Sequence, residues 1–101
     1  MTNRDLLSSD EAQAAVASLS PDWTIEGTEL HRSVKFPTFL AAVQFVSEMA
    51  PAAERLDHHP DITLSWRNVG IVLSTHSAGG LTALDFELAR QLDSIIDRLA
   101  G

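Results

Sequence analysis

Residues 62–75, ITLSWRNVGIVLST, carry the alternation on which the fold turns. Ile62, Leu64 and Trp66 alternate with Thr63, Ser65 and Arg67. After a turn expected near Arg67-Asn68, Val69, Ile71, Leu73 and Thr75 point one way. Gly70, Val72, Ser74 and His76 point the other way, because successive side chains alternate across a strand. A period of two in both arms reads as an antiparallel hairpin with one apolar face.

The flanking segments supply a cover for that face. Upstream, PTFLAAVQFVSEMAPAAERL (37–56) reads as a helix, with Pro37 and Thr38 suited to its start. Phe39, Leu40, Val43, Val46, Met49 and Ala50 form an apolar stripe at helical spacing. Pro51 removes a ladder bond and is expected to kink or divide this helix. Downstream, SAGG (77–80) is a loop and LTALDFELARQLDSIIDRLA (81–100) a second helix, with Leu84, Leu88, Leu92, Ile95, Ile96 and Leu99 on one face. Thr82 and Asp85 have the spacing of a capping box, with Asp in place of the usual Glu.

Toward the N-terminus, WTIEGTELHRSVKF (23–36) predicts another hairpin around Glu26-Gly27-Thr28-Glu29, with Trp23, Ile25, Leu30, Val34 and Phe36 on its apolar side. SSDEAQAAVASL (8–19) predicts a first helix capped at Ser9 and ended before Pro21. The order is therefore α-β-β-α-β-β-α. The expected class is α+β, with helices packed on one face of the sheet and the other face open to solvent, a ligand or another subunit.

The chain has 101 residues, which suits one domain over 1–101, and it shows no repeat or linker. With no cysteine, disulfides, thiolate metal sites and a cysteine nucleophile are all excluded. The formal net charge of −7 argues against direct nucleic-acid binding. No apolar run approaches the roughly 18–20 residues that cross a bilayer. The opening MTNRDLLSSDEAQ lacks the pattern of a signal peptide. The expectation is a soluble cytoplasmic domain without a membrane partner.

Histidine is scarce: His31, His58, His59 and His76 are all of it. Two stand together in DHHPD (57–61), where Pro60 biases His59 toward an extended backbone and makes the two rings diverge. Histidine suits proton transfer near neutral pH, and a polar loop at a helix end accommodates it equally well. Hairpin pairing centred near Asn68 would set residues 59–60 opposite 76–77 and gather three histidines at one end of the sheet. Zinc is a weaker reading, since no standard ligand spacing is present. Asp85 either orients a histidine or substrate, or completes the helix cap with Thr82. Glu54 and Asp57 could accept hydrogen bonds from a heterocycle, or be solvated helix-end residues. Trp23 and Trp66 could stack on a flat ligand, or pack in a core or on a sheet. His31 is assigned no chemistry.

Together, ERLDHHPDITLSW, VLSTHSAGGLT and LDFELA resemble the pterin-4a-carbinolamine dehydratase family. The motifs lie within residues 37–99 and the order of elements spans the chain. The resemblance implies a four-stranded antiparallel sheet with helices on one side, in a homodimer or homotetramer. It implies dehydration of 4a-hydroxytetrahydropterin to quinonoid dihydropterin and water, a step that recycles the pterin of aromatic amino acid hydroxylases. The pterin is substrate, and neither a metal nor a further cofactor is implied. Carried over by position, the catalytic set is His58, His59, His76 and Asp85, with His58 and His76 as acid–base pair and His59 and Asp85 orienting. Pterin contacts fall on Glu54, Asp57, His58, His59, Ser74, Thr75, His76 and Ser77. Arg55, Trp66 and Ser77 stand where lysine, tyrosine and, in vertebrate-like members, an acid are usual. Some members double as a dimerisation cofactor of a transcription factor, so a non-enzymatic pterin-binding or dimerisation module is the alternative.

Overall fold

A computed structural model describes residues 4–100. Its elements run α1 (Ser9–Val16), β1 (Thr24–Glu26), β2 (Glu29–Lys35), α2 (Phe39–Leu56), β3 (Asp61–Ser65), β4 (Asn68–Leu73) and α3 (Ala83–Ala100), with a short 3₁₀ turn at His76–Ala78. The strands form one antiparallel sheet ordered β1-β2-β4-β3. This is the expected α+β architecture, and β4 lies between two partners as its clean alternation requires.

Local chemistry sets the helix ends. Ser8, not Ser9, caps α1: Glu11 N–H donates to the Ser8 hydroxyl at 3.1 Å, and Ser8 N–H donates to the Glu11 carboxylate at 2.8 Å. Those bonds, the backbone one first, hold the Glu11 carboxyl below the usual carboxylate range. Thr38 caps α2 by accepting from Ala41 N–H at 3.0 Å.

Two expectations for α2 are corrected. The helix runs without a break through Pro51, whose ring faces solvent and whose missing N–H deprives only one carbonyl of its partner. Its buried side is Ala42, Phe45, Met49, Ala52 and Ala53, whereas Phe39, Leu40 and Val43 are exposed. Alanine lets the backbone come close to its neighbours, and α2 packs beside α3. Phe45 fills the space below, its ring 5.4 Å from that of Phe36.

The second hairpin turns one residue earlier than expected. Ser65 pairs with Asn68, so Trp66 and Arg67 form the turn. Trp66 adopts a left-handed φ of 55° and projects into solvent, with the Arg67 guanidinium 4.8 Å from its ring. Its β propensity argued for a strand, and Asn68 had the better turn chemistry; the register overrides both.

The inner sheet face buries Leu30, Val34, Phe36, Val69, Ile71 and Leu73 against the helices. Arg32 falls in the same alternating row and is buried as well. It pairs with Asp93 of α3 and, at 3.5 Å, with Asp22. Asp93 also accepts from the Trp23 indole N–H at 2.7 Å and from Ser20 N–H at 3.1 Å. The charge is thus matched where burial demands it. Trp23 is accordingly a core residue.

On the opposite face Thr24, His31, Ser33, Asp61, Thr63 and Gly70 line a shallow depression. Gly70 is closely overlain there, since a Cβ at that position would come 2.6 Å from Thr63 Oγ1.

Candidate active site

The end of α2 explains how two adjacent histidines part company. Asp57 closes the helix in the left-handed conformation, φ 48° and ψ 46°. Asp57 N–H donates to Glu54 O at 3.1 Å and His58 N–H to Ala53 O at 3.0 Å, which satisfies carbonyls the last turn would leave open. Glycine is the usual residue at such a position, and aspartate is among the few others that visit it. The reversal turns His58 inward, leaving it 6% exposed. His59 projects outward with 56% of its side chain exposed and Nε2 3.1 Å from Glu54 Oε1.

His58 meets Asp85, which lies in the first turn of α3 and is fully buried. The His58 Nε2 to Asp85 Oδ1 distance is 2.5 Å. Asp85 Oδ2 accepts from Thr75 Oγ1–H and from Thr82 N–H, each at 2.9 Å. Thr75 spends its proton on Asp85, so Thr82 Oγ1–H donates to Thr75 Oγ1 at 2.8 Å. A carboxylate only accepts, which places the His58 proton on Nε2 and leaves Nδ1 as the acceptor nitrogen of the neutral ring. A helix N-terminus further favours the negative charge of Asp85.

The Thr82–Asp85 spacing therefore yields one half of the expected capping box. The carboxylate takes the Thr82 N–H, while Asp85 N–H turns to Thr82 O at 3.1 Å. The remaining oxygen is free for His58, so capping and histidine orientation coexist in one side chain.

His76 opens the 3₁₀ turn and is exposed; its carbonyl accepts from Gly79 N–H at 3.1 Å, while its ring makes no hydrogen bond to another described residue. Gly79, at φ 80°, closes that turn, and Thr75 bridges Gly80 at its base. Asp61 pairs with Val72. Continuing that register sets His59 level with Ser74, so the expected alignment with residues 76–77 is displaced by three positions. What brings the segments together is Asp85, which binds both His58 and Thr75, the residue before His76. Ser74 Oγ donates to Thr28 O at 2.8 Å, while Ser77 and Asp57 are exposed. Among the described residues no three His, Asp or Glu side chains are arranged to hold a metal ion.

Residues 5–95 match the family profile described as pterin 4 alpha carbinolamine dehydratase. The chain belongs to this dehydratase family. A relative from Nocardia farcinica, provisionally named a pterin-4-alpha-carbinolamine dehydratase, is 50% identical over 90% of this chain and 95% of its own. A relative from Mycobacteroides abscessus with the same provisional name is 50% identical over 92% and 98%. A crystal structure from Brucella melitensis, described as a transcriptional coactivator/pterin dehydratase, superposes with a TM-score of 0.86. It is 35% identical, covering 96% of this chain and all of its own. In this member of the dehydratase family, every candidate site residue from Glu54 to Asp85 lies within the matched region. The sequence pattern pairs Thr82 with Asp85 but gives no sign of the Thr75 bond to the same carboxylate. Sequence reading missed Arg4, whose side chain reaches Asp57 O at 2.9 Å, because an isolated arginine ahead of a helix carries no pattern.

Proposed function

We propose that the protein dehydrates a 4a-hydroxytetrahydropterin to the quinonoid dihydropterin and water. The observation that carries this reading is the buried His58–Asp85 pair, which fixes one imidazole tautomer and, through the Asp85 bond to Thr75, ties it to the loop that carries the exposed His76. In the reaction the N5 lone pair forms the C4a=N5 double bond as the C4a–O bond breaks. One proton joins the departing hydroxyl to make water, and one leaves N5. No electrons are exchanged with a second reactant, so the step as written calls for no redox cofactor.

His58 and His76 form the acid–base pair of this proposal. His58 Nδ1 is the nitrogen left free to exchange a proton with substrate, and His76 supplies a mobile ring on the other loop. Asp85 acts by holding His58, and the exposed His59–Glu54 pair serves as a pterin contact, with Asp57, Ser74, Thr75 and Ser77. Each proton-transfer group of this kind contributes about 10²–10⁴-fold. The substrate would arise from a monooxygenation that leaves a hydroxyl on C4a, as aromatic amino acid hydroxylation does, in the cytoplasm. The deciding measurement uses freshly generated 4a-hydroxytetrahydropterin and follows the quinonoid product optically. Acceleration well above the spontaneous rate is expected, and a rate equal to buffer alone would sink the reading.

Association of copies is a second element of the proposal, favoured by Phe39, Leu40 and Val43 on the outside of α2. With Val46 and Ala50 they repeat at coiled-coil spacing. Leu40, 77% exposed, lies in this patch. Sedimentation of the wild type should show a homodimer or homotetramer, and Leu40→Glu should shift it to smaller species. A wild type that sediments as a monomer at assay concentration would refute this element alone.

A further inference from the structure

A four-residue strap ahead of α1 touches the bases of both loops that carry the site histidines. Arg4 Nη2 donates to Asp57 O at 2.9 Å, with Leu56 O at 3.5 Å and the Asp57 carboxylate at 3.9 Å. These are terminal carbonyls of α2, where acceptors stand open and the helix dipole favours a cation. Two residues on, Leu6 bridges Thr82, and Leu7 N–H donates to Leu81 O at 2.9 Å. The Leu6 side chain covers Gly80, where a Cβ would come 2.9 Å from Leu6 Cδ1. Gly80 is in turn bridged to Thr75, the residue before His76.

The decisive detail is a single peptide unit. The Asp57 carbonyl and the His58 N–H belong to the same rigid plane. Arg4 holds its oxygen and Ala53 O accepts from its N–H, at 3.0 Å. A plane gripped at both ends cannot rotate, and its orientation sets the direction in which His58 leaves the backbone. We infer that Arg4 is a positioning residue of the site: its guanidinium locks the Asp57–His58 peptide and so aims the His58 ring at Asp85. Arg4 precedes the first residue matched to the family, so this grip is not part of the matched region. The inference rests on the dehydratase reading for its kinetic consequence but not for its geometric one.

Arg4→Ala and Arg4→Lys distinguish this role from simple capping of α2. A misplacement of about 1 Å can lower a rate by about 10²-fold. Arg4→Ala is therefore expected to lower kcat/KM by roughly 10- to 100-fold, chiefly in kcat, with an unchanged urea midpoint. Lysine keeps a donor for the one carbonyl and should restore most of the loss. In NMR spectra of histidine-labelled protein, the His58 ring signals should move in Arg4→Ala and return in Arg4→Lys, while those of His31 stay fixed. Unmoved His58 signals in Arg4→Ala would overturn the inference, as would a kinetic loss that merely tracks an unfolded fraction. Should the wild type itself fail to turn over substrate, the proposed function falls, and the His58 signals alone then decide the fate of the strap.

Discussion

Asp85→Asn is expected to reduce kcat by about 10³–10⁴-fold while leaving the protein folded. The amide oxygen can replace Oδ2, where Thr75 Oγ1–H and Thr82 N–H both donate. The amide NH₂ then occupies the Oδ1 position and faces His58 Nε2. Two donors cannot share that 2.5 Å contact, so the His58 proton moves to Nδ1 and Nε2 becomes the acceptor. The nitrogen proposed to meet substrate thus changes from acceptor to donor, and losses of this size accompany a wrong tautomer in other orienting-carboxylate sites. Asp85→Ala separates the structural share. It leaves the donors His58 Nε2–H, Thr75 Oγ1–H and Thr82 N–H without their acceptor in a buried site, each worth about 1–3 kcal/mol. A destabilisation of about 3–5 kcal/mol is expected, read from the urea midpoint. Full turnover in Asp85→Asn would mean that the His58 tautomer is irrelevant to the reaction.

His76→Ala is the complementary case. The His76 ring is exposed and makes no hydrogen bond with another described residue, so its removal should change stability by less than about 0.5 kcal/mol. Turnover should nevertheless fall by about 10²–10⁴-fold, because the missing ring is one of the two proposed proton-transfer groups. Steady-state assay and urea unfolding of the same preparation check both halves. Wild-type kcat/KM would remove His76 from the mechanism. His59→Ala provides the contrast, since its exposed pairing with Glu54 contributes little to stability and the ring is assigned an orienting, substrate-contacting role without proton transfer.

The sequence made the sheet readable because the apolar period changes from two to 3.6 at each element boundary. Leu30, Val34, Phe36, Val69, Ile71 and Leu73 all face inward as their alternation requires. Helix α2 was harder, since it carries two apolar sides. Periodicity selected Phe39, Leu40 and Val43, whereas packing on α3 selects the side with small alanines and Phe45. Arg32 was invisible as a buried charge because its compensating carboxylate comes from Asp93, 61 positions away. The histidines were legible as candidates from their scarcity and setting. The opposite environments of His58 and His59 follow from the left-handed Asp57, and the strap at Arg4–Leu7 depends on contacts that no local pattern encodes.

Asp93 has a further consequence, for the order in which the chain becomes available. It binds Ser20, Trp23 and Arg32 together, spanning sequence separations of 73, 70 and 61 residues. A ribosome delivers the whole sheet before it delivers the carboxylate that balances the guanidinium beneath it. Until that late residue emerges, a closed sheet would hold Arg32 with only the exposed Asp22 beside it. The nascent chain therefore has an electrostatic reason to stay open until Asp93 has emerged and can reach the sheet.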